Sequence, residues 1–251
     1  VNLRWNVLEE LQVMISYGES PYLHGMHDLG GENLMAIHPG WMVHTVAIGH
    51  NPNEHGGIDY TQYTDRGYGI IVRLNNGYKP SGTIPHPEQY SNFAQRCANF
   101  CAATPACHIF IIGNEPNHSQ ERPDGVPIEP RDYVNCFRLC YEKIKAVRPD
   151  AQVLMAPVAP WNVETGNWVD YWAFMIERAY TLHMIDGLAI HAYTHGNDKS
   201  LIYNNEMKHG WYWHFHVYQQ ILNIAENYVS GVPVYMTEAC PVEPGWPDGM
   251  T

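Results

Sequence analysis

Two glutamates stand at the ends of short apolar runs, a placement that suits chemistry by paired carboxylates. Glu115 closes the stretch His108-Ile109-Phe110-Ile111-Ile112-Gly113-Asn114-Glu115-Pro116-Asn117. Its β-branched and aromatic residues read as a buried parallel strand. Pro116 has no N–H to give a sheet ladder and stops the strand. Glu115 is thereby left at the C-terminal mouth, where parallel α/β proteins keep their reacting groups. Glu238 ends a second run of the same form, Val232-Pro233-Val234-Tyr235-Met236-Thr237-Glu238. Two facing carboxylates are the minimum apparatus for breaking a glycosidic bond. At a separation of ~5 Å one attacks the sugar, while the other protonates the leaving oxygen and then activates water. The acid of such a pair must keep its proton, which burial or a nearby negative charge achieves. The structural alternative is two carboxylates that cap helix N-termini.

Other polar residues cluster at strand ends. Arg73 lies late in the apolar run 68–74, and His191 and Tyr193 close the run 185–193. Either Arg73 or His191 beside Glu238 would keep that carboxylate ionised; a structural pair elsewhere is the alternative for a buried arginine. His24, His27 and Asp28 lie on the first apolar run and, with His191, make a rival metal site for a metal-dependent hydrolase. Side chains alternate along a strand, so His24 and His27 point to opposite faces. His27 and Asp28 therefore read better as sugar-binding or structural groups, and no metal or organic cofactor is required. Trp161 and Trp246 follow strand ends, where flat rings can stack on sugars. Trp211 and Trp213 read as packing or rim residues.

The positioning elements follow from periodicity. Apolar runs at 22–28, 41–48, 68–74, 108–113, 151–158, 185–193 and 232–237 predict seven strands. Between them, amphipathic stretches at 88–103, 131–147, 168–182 and 211–229 predict helices, and shorter ones fit 32–38 and 59–67. Alternating strands and helices argue for a parallel sheet with helical crossovers. A doubly wound sheet is one solution; the regular spacing favours a (β/α)₈ TIM barrel. The expected organisation is one barrel domain over 1–251: a lead-in at 1–21, seven βα units over 22–240, and a loop at 241–251. No eighth unit follows residue 240, so the barrel is expected to be lacking or truncated there. Three units separate Glu115 from Glu238, which places them on the fourth and seventh strands, facing across the mouth.

Ile111-Ile112-Gly113-Asn114-Glu115-Pro116-Asn117 resembles the fourth-strand Asn-Glu-Pro signature of clan A glycoside hydrolases. Val234-Tyr235-Met236-Thr237-Glu238-Ala239 resembles their seventh-strand nucleophile motif, and His191-Ala192-Tyr193 their sixth-strand His/Tyr pattern. The three occur in order and cover roughly residues 22–240. The resemblance implies a retaining glycosidase with Glu238 as nucleophile and Glu115 as acid/base. It also implies that Asn114 bonds the sugar 2-hydroxyl and that Tyr193 orients Glu238. The aromatic platform that the family carries on its eighth strand has no counterpart here. That departure favours the alternative, a carbohydrate-binding barrel without turnover.

Composition narrows the partners. The chain has 251 residues and a formal net charge of -12, which argues against nucleic acid or an anionic membrane as partner. No apolar run approaches the roughly 20 residues of a membrane span. An oligo- or polysaccharide is the expected partner. Six cysteines include no Cys-x-x-Cys, so zinc-ribbon and thioredoxin-like readings fail. Disulfides among Cys97, Cys101 and Cys107 and plain buried thiols are both open. The start at Val1 suggests a processed or trimmed product; location is left open, with a secreted one favoured.

Overall fold

All seven predicted strands are present in the computed structural model, which describes residues 19–35 and 37–242. The first two are β1 (Gly25–His27) and β2 (Trp41–Ala47). A short helix α1 (Thr61–Thr64), β3 (Gly69–Asn75), α2 (Tyr90–Ala102) and β4 (Ile109–Ile112) follow. Next come α3 (Pro130–Val147), β5 (Gln152–Met155), α4 (Trp168–Thr181) and β6 (Leu188–His191). Three two-residue pieces come after these, β7 (Thr194–His195), β8 (Met207–Lys208) and β9 (Trp211–Tyr212). The series ends with α5 (Val217–Ala225), β10 (Val234–Glu238) and β11 (Pro241–Val242). The expected lead-in lies almost wholly outside the described residues, as do Trp246 and most of the loop expected at 241–251.

β1 to β5 form one parallel sheet in sequence order, and β6 pairs with β10 in parallel. Hydrogen bonding among the described residues does not close a barrel. Among the described residues no ladder joins β5 to β6, or β10 to β1. Side chains nevertheless pack together on the inner face, from β2 through β6 to β10. Val43, Ile71, Ile109, Ile111, Leu154 and Ala189 form one small inner cluster, with Trp41 and Tyr235 packed on it. The sheet is therefore curved enough for six strands to share a lumen. Alternate residues of the same strands, such as Ile70, Val72, Phe110 and Ile112, face outward into the larger core under the helices.

The helices follow their apolar stripes. In α2 the buried set includes Tyr90, Phe93, Ala94, Cys97, Phe100 and Cys101; in α3 it includes Tyr133, Val134, Phe137, Cys140 and Ile144. All six cysteines are free thiols, five of them buried, so no disulfide forms. Tyr133 reaches from α3 to the strand ends: its hydroxyl donates to the Ile112 carbonyl at 2.8 Å and accepts from the Ala156 N–H at 2.5 Å. One expected helix is shorter than its pattern. Residues 211–229 were predicted helical, but Trp211–Tyr212 pairs antiparallel with Met207–Lys208, and the helix starts only at Val217. The turn between those strands is His209-Gly210, both at positive φ, the two-residue geometry that a tight hairpin demands.

Candidate active site

The two-residue period of the strands delivers most of the site. In β3, Ile71 faces the lumen and Arg73, two residues on, faces it too. In β6, Ala189 is in the inner cluster and His191 follows it on the same face. In β4, Ile109 and Ile111 point inward, and the chain then turns at Gly113, φ 81°. Glu115 itself sits at φ 30°, in a region that non-glycine residues rarely adopt. Such backbone persists only where its surroundings hold it. Here Asn117 does so, exchanging two bonds with Ala159: Nδ2 to the carbonyl at 2.9 Å, and Oδ1 from the N–H at 2.8 Å.

Glu238 needs an extra device. Tyr235 faces the lumen, so simple alternation would turn Glu238, three residues on, the other way. The β6–β10 register breaks between Met236 and Glu238, leaving Thr237 as the extra residue of a bulge. A bulge of this kind re-aims the side chain that follows it.

The result is a network around two carboxylates. Arg73 Nη1 donates to Glu238 Oε1 at 2.6 Å, and Arg73 Nη2 lies 3.1 Å from His191 Nε2. A guanidinium only donates, so His191 Nε2 accepts and Nδ1 carries the proton. That Nδ1 sits 2.7 Å from Glu115 Oε1, which it supplies with a hydrogen bond. Tyr193 joins the pair, its hydroxyl 2.9 Å from Glu115 Oε1 and 2.8 Å from Glu238 Oε2. One oxygen from each carboxylate lies within 4.8 Å of the other. The glutamate side chains are 15% and 24% exposed, shielded from bulk water yet reachable.

Electrostatics separate the groups. Burial pushes the Glu238 carboxyl up, but the charge of His191 when that ring is protonated, a hydrogen bond from His27 and the permanent Arg73 guanidinium outweigh it and hold it well below the usual carboxylate range. Arg73 is the member whose charge is permanent. His27, with Nε2 3.4 Å from Glu238 Oε1 and Nδ1 3.2 Å from Asp28 Oδ2, has its pKa raised chiefly by Glu238. Burial and the two carboxylates push the Tyr193 phenol well above its ordinary value, so it keeps its proton.

A cleft of about 450 Å³ opens over the network, lined among others by Glu115, Glu121, Trp161, Tyr193, His195 and Glu238. Not every expected residue faces it in the expected way. Trp161 is only 2% exposed: its Nε1 donates to the Tyr212 carbonyl at 2.8 Å, and its ring packs on His195 and Trp213. It is wall more than open platform, because its faces are already covered. Asn114 Nδ2 donates to Glu121 Oε1 at 3.0 Å. Asp28 is largely exposed and meets the site only through His27.

The alternative metal set does not assemble. His24 Nε2 lies against the His38 carbonyl oxygen at 2.9 Å, away from His191. Among the described residues, the one close group of metal-ligating types is Glu115, His191 and Glu238. Arg73 already sets a positive charge against two of these three. Sequence reasoning passed over Glu121 and His195. Glu121 lies in a stretch read as polar loop, and its only signal is a carboxylate six residues beyond Glu115.

No family model and no curated protein matches this sequence. Solved structures do resemble it, and they are clan A glycoside hydrolases. A family 39 glycoside hydrolase from the gut symbiont Bacteroides cellulosilyticus WH2 superposes with a TM-score of 0.58 at 16% identity, over 88% of this chain and 49% of that one. CelM2, a bifunctional glucanase-xylanase from a metagenome library, gives 0.54 at 10% identity, over 90% and 68%. Cel44A, a family 44 endoglucanase from Clostridium thermocellum, gives 0.52 at 14%, over 88% and 67%. The likeness is one of fold, and this chain spans about half the length of the first of them.

Proposed function

We propose that this chain is a retaining glycoside hydrolase acting on a β-linked oligo- or polysaccharide. Glu238 serves as nucleophile and Glu115 as acid/base, within the strand framework of a (β/α)₈ barrel whose βα units occupy residues 22–240. One observation carries the reading: two strand-end carboxylates within 4.8 Å of each other, bridged by one phenol, with a buried arginine on only one of them. Retaining enzymes hold their carboxyl groups about 5–5.5 Å apart, and inverting ones leave a water's width more. The arginine breaks the symmetry. The carboxylate it holds ionised suits attack on the anomeric carbon; the other, bonded by His191 and Tyr193, is free to carry a proton to the leaving oxygen. Asn114 and His27 flank the pair as candidate hydroxyl contacts. The β-linkage follows from the motif resemblance, and the fold shared with proteins named as a glucanase-xylanase and an endoglucanase agrees with it.

Covalent trapping tests this. The protein is incubated with a panel of 2-deoxy-2-fluoro glycosides, then examined by intact mass and peptide mapping. A sugar adduct on Glu238 is expected. A folded protein that gives no adduct with any sugar yet still binds glycans would overturn the hydrolase reading in favour of a binding barrel.

Tyr193 gives a second test. Its hydroxyl lies 2.9 Å from Glu115 Oε1 and 2.8 Å from Glu238 Oε2 with one proton to donate between them, and a hydrogen bond to a charged group is worth enough to change a rate about 10- to 100-fold. Tyr193→Phe should lower kcat on an aryl glycoside by that factor with little change in melting temperature. An unchanged kcat would show that the phenol is only packing.

A further inference from the structure

We propose that Glu121 is a positioning residue for Asn114, setting which end of the Asn114 amide is presented to a sugar hydroxyl. The proposal deepens the hydrolase reading of this site and rests on it. The chain between Glu115 and Glu121 doubles back on itself. The His118 N–H donates to the Glu115 carbonyl at 2.8 Å, and the Glu121 N–H donates to the His118 carbonyl at 3.1 Å. Thr83, wholly buried, staples both ends. Its hydroxyl accepts from the Asn114 N–H at 2.5 Å, and its own N–H donates to the Glu121 carbonyl at 2.8 Å. The turn thus returns a third carboxylate to the cleft that Glu115 and Glu238 line.

That carboxylate meets one end of the Asn114 amide. Nδ2 donates to Glu121 Oε1 at 3.0 Å, while Oδ1 is buried and has no partner in the protein. Buried polar atoms are nearly always paired, so Oδ1 is an acceptor left unfilled. An ionised carboxylate can only accept. It therefore holds Nδ2 toward itself and leaves Oδ1 as the unfilled end of the amide. A protonated Glu121 carries a donor and can bond Oδ1 instead, which turns the amide over and offers Nδ2.

The balance between the two states falls in the working pH range. Burial, with the charges of Glu115 and Glu238, pushes the Glu121 carboxyl up to about 7, against the Asn114 hydrogen bond and the Arg73 charge. The same turn carries Asn117, bonded to Ala159, Ser119, bonded to Glu164, His118, whose Nδ1 accepts from the Gln120 N–H, and Gln120, which Lys79 Nζ approaches at 3.5 Å.

The test uses two readouts on the whole chain. In the first, side-chain amide ¹⁵N and ¹H shifts of Asn114 are followed from pH 5 to 9, with Asn114→Asp to assign the resonance. They should titrate with a midpoint near pH 7 in the natural protein and lose that step in Glu121→Gln. In the second, kcat/KM is measured on paired aryl glycosides with and without the 2-hydroxyl. The ratio of natural to E121Q rates should step about tenfold across the same pH range for the 2-hydroxy substrate. It should stay level for the 2-deoxy one. An Asn114 amide that does not titrate in the natural protein overturns the proposal, whether or not the variant folds. A titrating amide with a level ratio on both substrates overturns its link to the sugar. Absence of turnover with every substrate would count against the hydrolase reading, while the amide titration would still decide the Glu121–Asn114 pairing.

Discussion

Glu238→Gln should abolish turnover, lowering kcat on an aryl glycoside on the order of 10⁵-fold while binding persists. Gln keeps the shape and one acceptor for Arg73 but cannot form a glycosyl ester. The smaller variant Glu238→Ala opens a gap where a small anion fits. Azide should then attack the anomeric carbon in place of the carboxylate. It should restore measurable rate and leave a glycosyl azide of inverted anomeric configuration, visible by NMR. Glu115→Ala should behave differently. Loss of an acid costs about 10²–10⁴-fold, and the loss should shrink when the leaving group is an activated phenol that departs without a proton. Interchanged behaviour of the two variants would reverse their roles. Full activity in both would remove the reaction from this cleft. Because Glu238 neutralises a buried arginine, each variant needs a melting curve beside its rate.

Both carboxylates were legible because position marked them. An apolar run ending in Gly-Asn-Glu-Pro must leave its glutamate at a strand mouth, since proline cannot continue the ladder. Arg73 was legible as a charge inside an apolar strand, and such a charge needs an anion nearby. What escaped the sequence depends on local backbone geometry. The bulge at Thr237 has no glycine or proline to signal it, so alternation from Tyr235 predicts the wrong face for Glu238. Trp161 sits at φ 63°, a conformation that no tryptophan advertises, and that conformation lies behind its place in the wall. Trp211 and Tyr212 extend an apolar pattern continuous with α5; only Gly210 hints that the chain turns first. Glu121 was missed because its partner is seven residues away through a turn, and composition calls that stretch a loop. Counting βα units predicted the parallel order of β1 to β5 correctly. It could not say which neighbouring strands would share hydrogen bonds, because register and tilt, not the number of units, decide that.

The other large effect belongs to Arg73. Its side chain is 2% exposed and bonds Glu238 at 2.6 Å, with His191 and His27 at 3.1 and 3.3 Å. Arg73→Met keeps much of the volume and removes the charge. Breaking a buried pair from one side leaves the partner uncompensated, at a cost of about 3–5 kcal/mol. The pH dependence fixes the cause. In the natural protein the folded-state pKa of Glu238 is depressed. Its stabilisation is therefore fully present above the unfolded pKa of about 4.3 and is lost as pH falls below that. Without the guanidinium, the contributions of His191 and His27 remain, but they hold the carboxyl down less far against burial. The variant therefore gains less stability from this group as pH rises above the unfolded pKa. The gap between the two proteins should be widest at neutral pH and narrow on acidification, as denaturant melts at pH 4 and 7 would show. Activity should move with it: the nucleophile must be ionised, so the acid limb of kcat/KM shifts to higher pH in Arg73→Met. Arg73→Lys restores a charge without the two-pronged geometry and should return that limb part of the way. If Arg73→Met leaves the acid limb where it was, the ionisation of Glu238 does not depend on this arginine, and the asymmetry that assigns the two carboxylates their roles must have another source.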